Sequence, residues 1–375
     1  MNSVIAPDPA GPDAATRTHW LLAALARRVV RQLMPRMDRA AHASTQPFRT
    51  PGMLIPHVRE KRYGLTHFGI FMANLPEPFR YCNVMTLLGT PGAVAFDNDY
   101  LIHGDARDVA TVLSSTAADG AYHYRAYSIE DECTVGRGET VVAFGRDLVI
   151  EGAYPRYRIR AAYGRFGFDL EIECTDIASW FVHNVVYDHL SLLARCSGEI
   201  RHDGHATAVD TLCTFEYARM TTPQAWFAQP LAERWKIPLD FFTYQIVNLD
   251  DGIQLLLTEV RILGEKGFRG IHVRALNRMA EIHEHDVAFV VDACRHEPAM
   301  SPDGSRMRLP HRVSWAARDS AGVPWLKLSG TIDSPWRFGH GRGYVSSYRF
   351  EGVVKGREYS GRGYIEYVDC EARQS

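Results

Sequence analysis

The sequence predicts an all-β protein with two tandem antiparallel β-barrel or sandwich domains, preceded by an N-terminal amphipathic helix. Three observations lead to this prediction. Short runs of alternating apolar and polar residues follow one another from about residue 57 onward. Helical periodicity is confined to the N-terminus and to one short segment in the middle of the chain. A glycine-rich, aromatic strand ending occurs in both halves, and many short strands with few helices favour barrels or sandwiches.

The repeated strand ending is the clearest internal similarity. The tetrapeptide Gly-Arg-Gly-Tyr occurs at Gly341–Tyr344 and again at Gly361–Tyr364, twenty residues further on. The segment Gly204–Tyr217 also runs from a glycine into an aromatic-flanked strand that ends on Glu-Tyr, as the C-terminal segment does at Glu366-Tyr367. Glycines beside aromatic strand residues suit coiled or bulged strands in which a side chain would clash. We interpret these segments as equivalent closing strands of two related domains.

The length of 375 residues suggests two domains, each large enough to bury a core. A hydrophobic content of 46% and a charged content of 23% describe a globular protein. The segment around residues 221–236 contains prolines and tryptophans and is predicted to be a linker with a short helix. The predicted organisation is a tail and helix at 1–56, a first β domain at 57–220, the linker at 221–236 and a second β domain at 237–375.

The N-terminal segment is predicted to contain a disordered tail at residues 1–14 and a helix from Thr16 to Arg39. Apolar side chains recur in this helix at steps of three and four residues, and arginines lie between them. A basic amphipathic helix can lie on an anionic membrane surface, or it can pack on the body of the protein. Its apolar run is too short to span a bilayer and no secretory cleavage site is evident.

Composition and cysteine usage narrow the function classes. The net charge of −2 gives no electrostatic reason to expect a nucleic-acid partner. Seven widely spaced cysteines without a Cys-x-x-Cys pair indicate a reducing compartment, so we expect a cytoplasmic protein, with or without contact to a membrane surface through residues 16–39. No P-loop, dinucleotide-binding glycine pattern, Gly-x-Ser-x-Gly or His-Glu-x-x-His sequence occurs, so no motif points to ATP, NAD or a serine hydrolase.

The strand pattern is sharpest in the middle of the first half. Apolar and polar residues alternate from Phe166 to Thr175, which predicts a half-buried strand with its carboxylates outward. A second alternating run precedes it, and the link Tyr163-Gly-Arg165 predicts an antiparallel hairpin. In the second half, Asp319-Ser-Ala-Gly322 is a turn sequence between two predicted strands.

The most promising polar cluster lies between Trp180 and His189. In a strand, Tyr187 and His189 share one face while Asp188 points to the other. Such side chains in a barrel lumen can exchange protons with an apolar substrate, so we predict Tyr187, Asp188 and His189 as catalytic. Trp180 and His183 are predicted to contact the substrate. A buried structural hydrogen-bond network or an exposed loop is the alternative.

Two further groups of polar residues are candidates for substrate or metal binding. Asp97, Asp99 and Tyr100 follow an apolar strand and are predicted to contact the substrate, although the same residues suit an Asx turn. His283 and His285 would face the same way in a strand, a spacing compatible with a metal pair. No third ligand can be named for them, and we predict no metal site.

We expect the glutamates of the Glu-Tyr endings to have a structural role. Glu216 and Glu366 occupy matching positions near the ends of the two closing strands. We expect each to anchor a turn or to accept from an arginine, because one chemical step seldom needs two copies of a group.

The ending Gly361-Arg-Gly-Tyr-Ile-Glu366 resembles the closing motif of the hydroxyneurosporene synthase (carotenoid 1,2-hydratase) and AttH-like group. The stretch Tyr187-Asp188-His189 is similar to the Asp-His strand in the first domain of that group. The resemblance covers residues 57–370 and implies two tandem lipocalin-like domains, an architecture that fungal Diels–Alderases share. The tryptophan-rich sequence around the hydratase Asp-His element is missing here. The resemblance further implies a cofactor-free site for an apolar terpenoid, steroid or polyketide.

Two functions follow from these observations. The first is a lyase or isomerase that hydrates, dehydrates, isomerises or cyclises a hydrophobic molecule by proton transfer. The second is a non-catalytic, lipocalin-like binder or carrier of lipophilic ligands. Conversion of a bound ligand would distinguish the enzyme from the carrier.

Overall fold

The computed structural model describes residues 39–250 and 252–371. The predicted tail at residues 1–14 lies outside this part, and so does the predicted helix Thr16–Arg39 except for its last residue. The described chain is almost entirely β: a nearly closed barrel and a half-barrel with a lipocalin-like architecture. The predicted all-β fold with two tandem lipocalin-like units is therefore confirmed.

The first sheet contains eleven antiparallel strands from residues 65–220. In chain order they are β1 (Leu65–Ala73), β2 (Tyr81–Leu88), β3 (Val109–Thr116), β4 (Tyr122–Ser128), β5 (Cys133–Arg137), β6 (Thr140–Phe144), β7 (Leu148–Ala153), β8 (Arg156–Tyr163), β9 (Phe166–His183), β10 (Tyr187–His202) and β11 (His205–Met220). Their order across the sheet is β4-β3-β2-β1-β11-β10-β9-β8-β7-β6-β5. The last strand therefore pairs with the first.

The second sheet contains ten strands from residues 239–369, and a separate two-stranded sheet lies between two of them. The strands are β12 (Leu239–Asp250), β13 (Ile253–Ile262), β14 (Glu265–Ala275), β15 (Arg278–His283), β16 (Val287–Cys294), β17 (Ala299–Met300), β18 (Arg306–Met307), β19 (Pro310–Arg318), β20 (Pro324–Ile332), β21 (Arg337–His340), β22 (Gly343–Val354) and β23 (Arg357–Asp369). The order is β15-β14-β13-β12-β23-β22-β20-β19-β16, β21 pairs with β22, and β17 with β18.

Helical elements are short in the described residues. They are α1 (Ala40–Ser44), α2 (Ile129–Glu132) and the 3₁₀ turns Pro51–Met53, Asp99–Leu101, Pro223–Trp226 and Glu233–Trp235. The last two turns occupy the segment that the sequence predicts to be a linker with a short helix. Among the described residues, no helix has the length and apolar character that a membrane crossing requires.

The alternation in β9 illustrates why the sequence folds this way. Phe168, Leu170 and Ile172 are buried, whereas Glu171 and Glu173 between and after them are exposed. This is the expected pattern of a strand that covers a core with one face. The strand pairs antiparallel with β8 through the predicted hairpin at residues 163–166.

The closing strands are equivalent in topology, as the repeated ending predicts. β11 pairs with β1 in the first sheet, and β23 pairs with β12 in the second. Glu216 lies opposite Gly69 of β1, and Glu366 lies opposite Tyr244 of β12. The two glutamates thus occupy matching places on the last strand of each sheet.

One apolar core includes residues of both sheets. Phe71, Tyr81 and Phe181 of the first sheet pack in the same cluster of buried side chains as Tyr244 and Tyr364 of the second. The ring centroids of Phe71 and Tyr364 are 5.3 Å apart. Continuous burial across the junction holds the two sheets together, since apolar area removed from water stabilises by about 25 cal/mol per Å².

The arginines of the two Gly-Arg-Gly-Tyr copies also join the two sheets. Arg342 donates to Asp97 Oδ2 at 2.6 Å, and Arg362 donates to Glu77 Oε1 at 2.5 Å. Both carboxylates belong to loops between strands of the first sheet. The repeated tetrapeptide therefore carries an inter-sheet ion pair in each copy.

One glycine of this repeat and one glycine of β20 make room for the ring of Tyr348. A Cβ on Gly363 would lie 2.5 Å from Tyr348 Cζ, and a Cβ on Gly330 would lie 2.5 Å from Tyr348 Cδ2. Tyr348 is buried, so its ring cannot move outward. Glycine is required on both neighbouring strands because the ring lies directly against the backbone.

We expect Gly363→Ala to destabilise the protein by about 1–3 kcal/mol, because the added methyl group overpacks the buried Tyr348 ring. Urea unfolding measures the change. Gly52→Ala is the matched control, because a Cβ there meets no atom within 4 Å, and we expect its effect to stay within about 0.5 kcal/mol. Equal stability of the two variants would contradict this account of the repeat.

Candidate functional site

The predicted catalytic residues divide between the two faces of β10. Tyr187 and His189 lie on one face, where the Tyr187 hydroxyl is 3.0 Å from His189 Nδ1. Asp188 lies on the other face and is buried. Its Oδ1 is 2.8 Å from His183 Nδ1, and its Oδ2 accepts from Arg219 Nε at 3.0 Å. The structure therefore brings Tyr187 and His189 together and holds Asp188 in a separate ion pair.

Two of the predicted substrate contacts lie with Asp188 rather than with His189. The Trp180 ring is 4.2 Å from the His183 ring, centroid to centroid, and Trp180 is buried. Trp180, His183 and Asp188 thus form one packed group that is separate from Tyr187 and His189.

Asp97 and Asp99 belong to an ion-pair cluster. Lys236 donates to Asp97 and to Asp99 Oδ2, the latter at 2.6 Å, and Arg342 also reaches Asp97. The Asp99 amide donates to Asp97 Oδ1 at 2.8 Å, which is an Asx turn. Tyr100 points elsewhere, and its hydroxyl is 2.8 Å from that of Tyr124. The two carboxylates thus serve to connect the first sheet with residues 236 and 342.

The prediction that His283 and His285 share a strand face is wrong. β15 ends at His283, and His285 lies in an exposed turn before β16. The turn forms because Asp286 adopts a φ of 50°, which a strand residue does not have. His283 instead packs on Trp325, with ring centroids 4.3 Å apart.

A cluster that the sequence did not predict surrounds His189. His67 of β1 and His189 of β10 both lie opposite Ala218 of β11, one on each side. Glu216 is two residues from Ala218 and therefore projects from the same face. Its Oε2 is 3.6 Å from His189 Nε2 and 4.0 Å from His67 Nε2. Three adjacent strands thus bring two imidazoles to one carboxylate.

The second sheet completes this cluster and adds a matching half. Tyr244 of β12 donates its hydroxyl to Glu216 Oε1. On β23, the Tyr364 hydroxyl donates to Glu366 Oε1 at 2.9 Å. His340 Nε2 lies 3.2 Å from Glu366 Oε2. Each buried glutamate therefore has one tyrosine hydroxyl and at least one imidazole beside it.

We call these seven residues the junction cluster. Six of them are buried and His189 is half-buried, and each either carries or faces one of the two carboxyls between the sheets. The members are His67, His189, Glu216, Tyr244, His340, Tyr364 and Glu366.

Burial decides the protonation states in the junction cluster. The pKa of Glu366 is raised well above its usual value, first by burial and then by the negative charge of Glu216. Burial lowers the pKa of His67 to about 4 and that of His340 to about 3. Burial and Glu216 also raise the pKa of the Tyr244 hydroxyl. The environment thus favours a protonated carboxyl beside neutral imidazoles.

Arg274 of β14 supplies a positive charge near this cluster. It is fully buried, and its guanidinium donates to the Ser191 carbonyl at 2.6 Å. Burial lowers the pKa of Arg274 to about 10, while Tyr244 and Glu216 act in the opposite direction. An arginine inside the protein offsets part of the cost of a buried carboxylate.

Aromatic rings enclose the polar groups. The Phe181 ring centroid is 4.8 Å from that of His189 and 5.5 Å from that of Tyr244. The Phe96 ring is 4.9 Å from His340 on the other side. These rings exclude water, which strengthens electrostatic interactions within the cluster.

Part of the junction cluster could be predicted from the sequence. The repeated Glu-Tyr endings contain Glu216 and Glu366, for which the sequence suggests a turn anchor or an arginine partner. The structure places both within strands, facing the sheet junction. His67, Tyr244 and His340 lie in strands with no recognisable motif. Only the pairing of β1 with β11 and the contact between sheets bring them to the glutamates.

The fold and the cluster define a class: a tandem lipocalin-like β protein with a buried His/Glu/Tyr cluster where its two sheets meet. The architecture is that of the AttH-like and hydratase group. The chain belongs to DUF6670, a family of unknown function, whose model matches residues 85–375. A search of curated proteins finds no match.

Two solved structures with TM-scores above 0.5 share this fold at low identity. A protein of Nitrosomonas europaea assigned provisionally to AttH (NE1406) has a TM-score of 0.58 and 13% identity, over 87% of this chain and 98% of that one. Kievitone hydratase of Nectria haematococca has a TM-score of 0.53 and 13% identity, over 87% and 96%. CghA in complex with Sch210972 has a TM-score of 0.42 and 10% identity, over 82% and 88%.

The lowered pKa of His67 predicts a specific pH dependence of stability. Between about pH 6.5 and pH 4 the unfolded chain binds a proton at this residue and the native state does not. Stability due to His67 is therefore present above pH 6.5 and is lost as pH falls toward 4, by about 3 kcal/mol in total. We expect His67→Gln to flatten the pH dependence of the urea-unfolding free energy in this window.

His103→Gln is the control for this measurement, because His103 is exposed. We expect its pH profile to match that of the wild type. An unchanged slope in His67→Gln would show that His67 does not stay neutral in the folded protein.

Proposed function

We propose that the chain is a cofactor-independent lyase or isomerase that moves protons on a hydrophobic small molecule at the junction cluster. The observation that supports this most strongly is the pair Glu216 and Glu366. The pKa of Glu366 is raised well above its usual value by burial and by the negative charge of Glu216. Titratable groups whose environments push their pKa values apart are typical of acid–base sites.

The proposed roles follow from the contacts. Glu366 keeps its proton near neutral pH and donates it to the substrate, while Tyr364 holds one of its oxygens. Glu216, with His189 beside it, receives the proton that the substrate gives up. An acid and a base positioned in this way typically contribute 10²- to 10⁴-fold in rate.

The predicted catalytic residues take different parts in this proposal. Tyr187 sets the orientation of the His189 ring through the hydrogen bond at Nδ1. Asp188 is a positioning residue, because its ion pair with Arg219 fixes β10 against β11. His189 is the residue of the three that we place at the reacting atoms.

The substrate class is inferred from the surroundings. Phe71, Phe181 and Phe96 provide apolar and aromatic contacts around the polar groups. Such rings favour a hydrophobic, terpenoid-, steroid- or polyketide-like molecule and can stabilise developing positive charge. Hydration, dehydration, isomerisation and cyclisation all fit this set of groups. One structural neighbour is named a hydratase, which agrees with this choice.

A non-catalytic carrier of lipophilic ligands is the second candidate, and the aromatic rings suit it equally well. A carrier has no use for two buried carboxyls, because buried charged groups are costly unless they are paired. The junction cluster therefore favours the enzyme.

The test begins with an organic ligand released from the purified full-length protein and identified by native mass spectrometry. That ligand is then incubated with fresh protein in D₂O, and deuterium incorporation or a change of mass is followed. We expect conversion by the wild type and a loss of about 10²-fold or more in Glu366→Gln, because the amide cannot donate the acid proton.

Glu358→Gln is the matched control, since Glu358 lies on the same strand and is exposed. It should convert the ligand at the wild-type rate. A ligand that the wild type leaves unchanged would favour the carrier, and full activity in Glu366→Gln would remove Glu366 from the mechanism.

A further inference from the structure

We infer that His67, His189 and Glu216 form a binding site for one divalent transition-metal ion, with zinc as the representative. One ligand atom from each residue lies within 4.8 Å of the other two. Two imidazoles and one carboxylate are a frequent set for zinc in proteins. This inference concerns metal binding and does not depend on the proposed catalytic function.

The strand register fixes the positions of the three ligand residues. His67 and His189 flank Ala218 from the two neighbouring strands, and Glu216 projects from the same face of the central strand. The three ligands therefore sit on a rigid part of the sheet. A site on adjacent strands keeps its geometry better than one on loops.

In each of the three side chains, one polar atom already has a hydrogen-bond partner outside the proposed site. The remaining polar atoms, Nε2 of each histidine and Oε2 of Glu216, face one another. His67 Nδ1 lies 2.8 Å from the Thr86 carbonyl and therefore carries the hydrogen, which leaves the lone pair of Nε2 inside the cluster. His189 Nδ1 bonds to Tyr187, and Tyr244 occupies Glu216 Oε1. Hydrogen bonds of this kind orient the ligands in metal sites.

His189 Nε2 supports the same conclusion. This atom is buried and has no hydrogen-bond partner among the described residues. An unpaired polar atom inside a protein calls for an explanation, and an ion is one of the usual ones. The nearest acceptor, Glu216 Oε2, is at 3.6 Å, which is too far for a hydrogen bond.

Metal binding requires the three ligand atoms to move closer together. Two ligands bound to zinc at about 2.0–2.1 Å with tetrahedral angles are about 3.3 Å apart. Glu216 Oε2 is 3.6 Å from His189 Nε2 and 4.0 Å from His67 Nε2. The three ligand atoms lie within 4.8 Å of one another, so both rings rotate inward when they bind the ion.

Metal binding would have one consequence that rests on the proposed function. The ion would occupy Glu216 Oε2 and His189 Nε2, the atoms assigned to the base. Zinc would then inhibit proton transfer, and the metal-free form would be the active one. The other half of the junction cluster, Glu366 with Tyr364 and His340, would remain free of the metal.

The experiment is a calorimetric titration of zinc chloride into the full-length protein after removal of metals with a chelator. We expect one ion per chain, and at least a tenfold weaker affinity in His67→Gln and in His189→Gln, since each loses one of three ligands. His340→Gln is the matched control, because it removes a buried imidazole of the same cluster outside the ligand set. It should bind zinc as the wild type does.

A second measurement applies to any variant that is too unstable to titrate. Zinc at saturating concentration should raise the melting temperature of the wild type and of His340→Gln, because a ligand that binds only the native state stabilises it. The shift should be smaller in the two ligand variants, in line with their weaker affinity. Absence of binding to the wild type, or unchanged binding in both ligand variants, would overturn the inference. Loss in His340→Gln as well would overturn the three-ligand assignment.

Discussion

The central constraint on this molecule is that two carboxyl groups, Glu216 and Glu366, are buried together where its two sheets meet. Burial and the negative charge of Glu216 raise the pKa of Glu366 well above its usual value, which favours the protonated carboxyl there. The hydroxyls of Tyr244 and Tyr364 each donate to one carboxyl, and both come from the second sheet. Glu216 belongs to the first sheet and therefore obtains its hydroxyl donor through contact with the second sheet. The junction thereby couples the packing of the fold to the chemistry of the site.

The sequence predicted the architecture well for a physical reason. Alternation in segments such as Phe166–Cys174 reports directly which face of a strand is buried. The repeated Glu-Tyr ending correctly pointed to equivalent closing strands, β11 and β23. The structure adds that Arg342 and Arg362 of the two Gly-Arg-Gly-Tyr copies bond to carboxylates of the first half. Such contacts over long sequence separations leave no local pattern.

The site was harder to predict, because its members come from six strands of two sheets. His189 was identified from its neighbourhood, and its partner Tyr187 with it. Asp188 was grouped with them by sequence proximity, yet the alternation of a strand places adjacent residues on opposite faces, and the structure pairs it with Arg219. Glu216 and Glu366 are recognisable in the sequence as a repeat, which suggests a turn anchor or an arginine partner. Their actual neighbours depend on strand pairing between distant segments, and a local pattern does not show that pairing.

The fold shared with the AttH-type protein and with kievitone hydratase extends over most of each chain, at 13% identity in both comparisons. Such similarity establishes the scaffold, and the chemistry must be read from the junction cluster itself. The central claim is that Glu366 is a neutral carboxylic acid in the native protein. Infrared difference spectroscopy between the wild type and Glu366→Gln at neutral pH tests it directly. The account predicts a protonated-carboxyl band that is present in the wild type and lost in the variant. A carboxylate band lost in its place would contradict it.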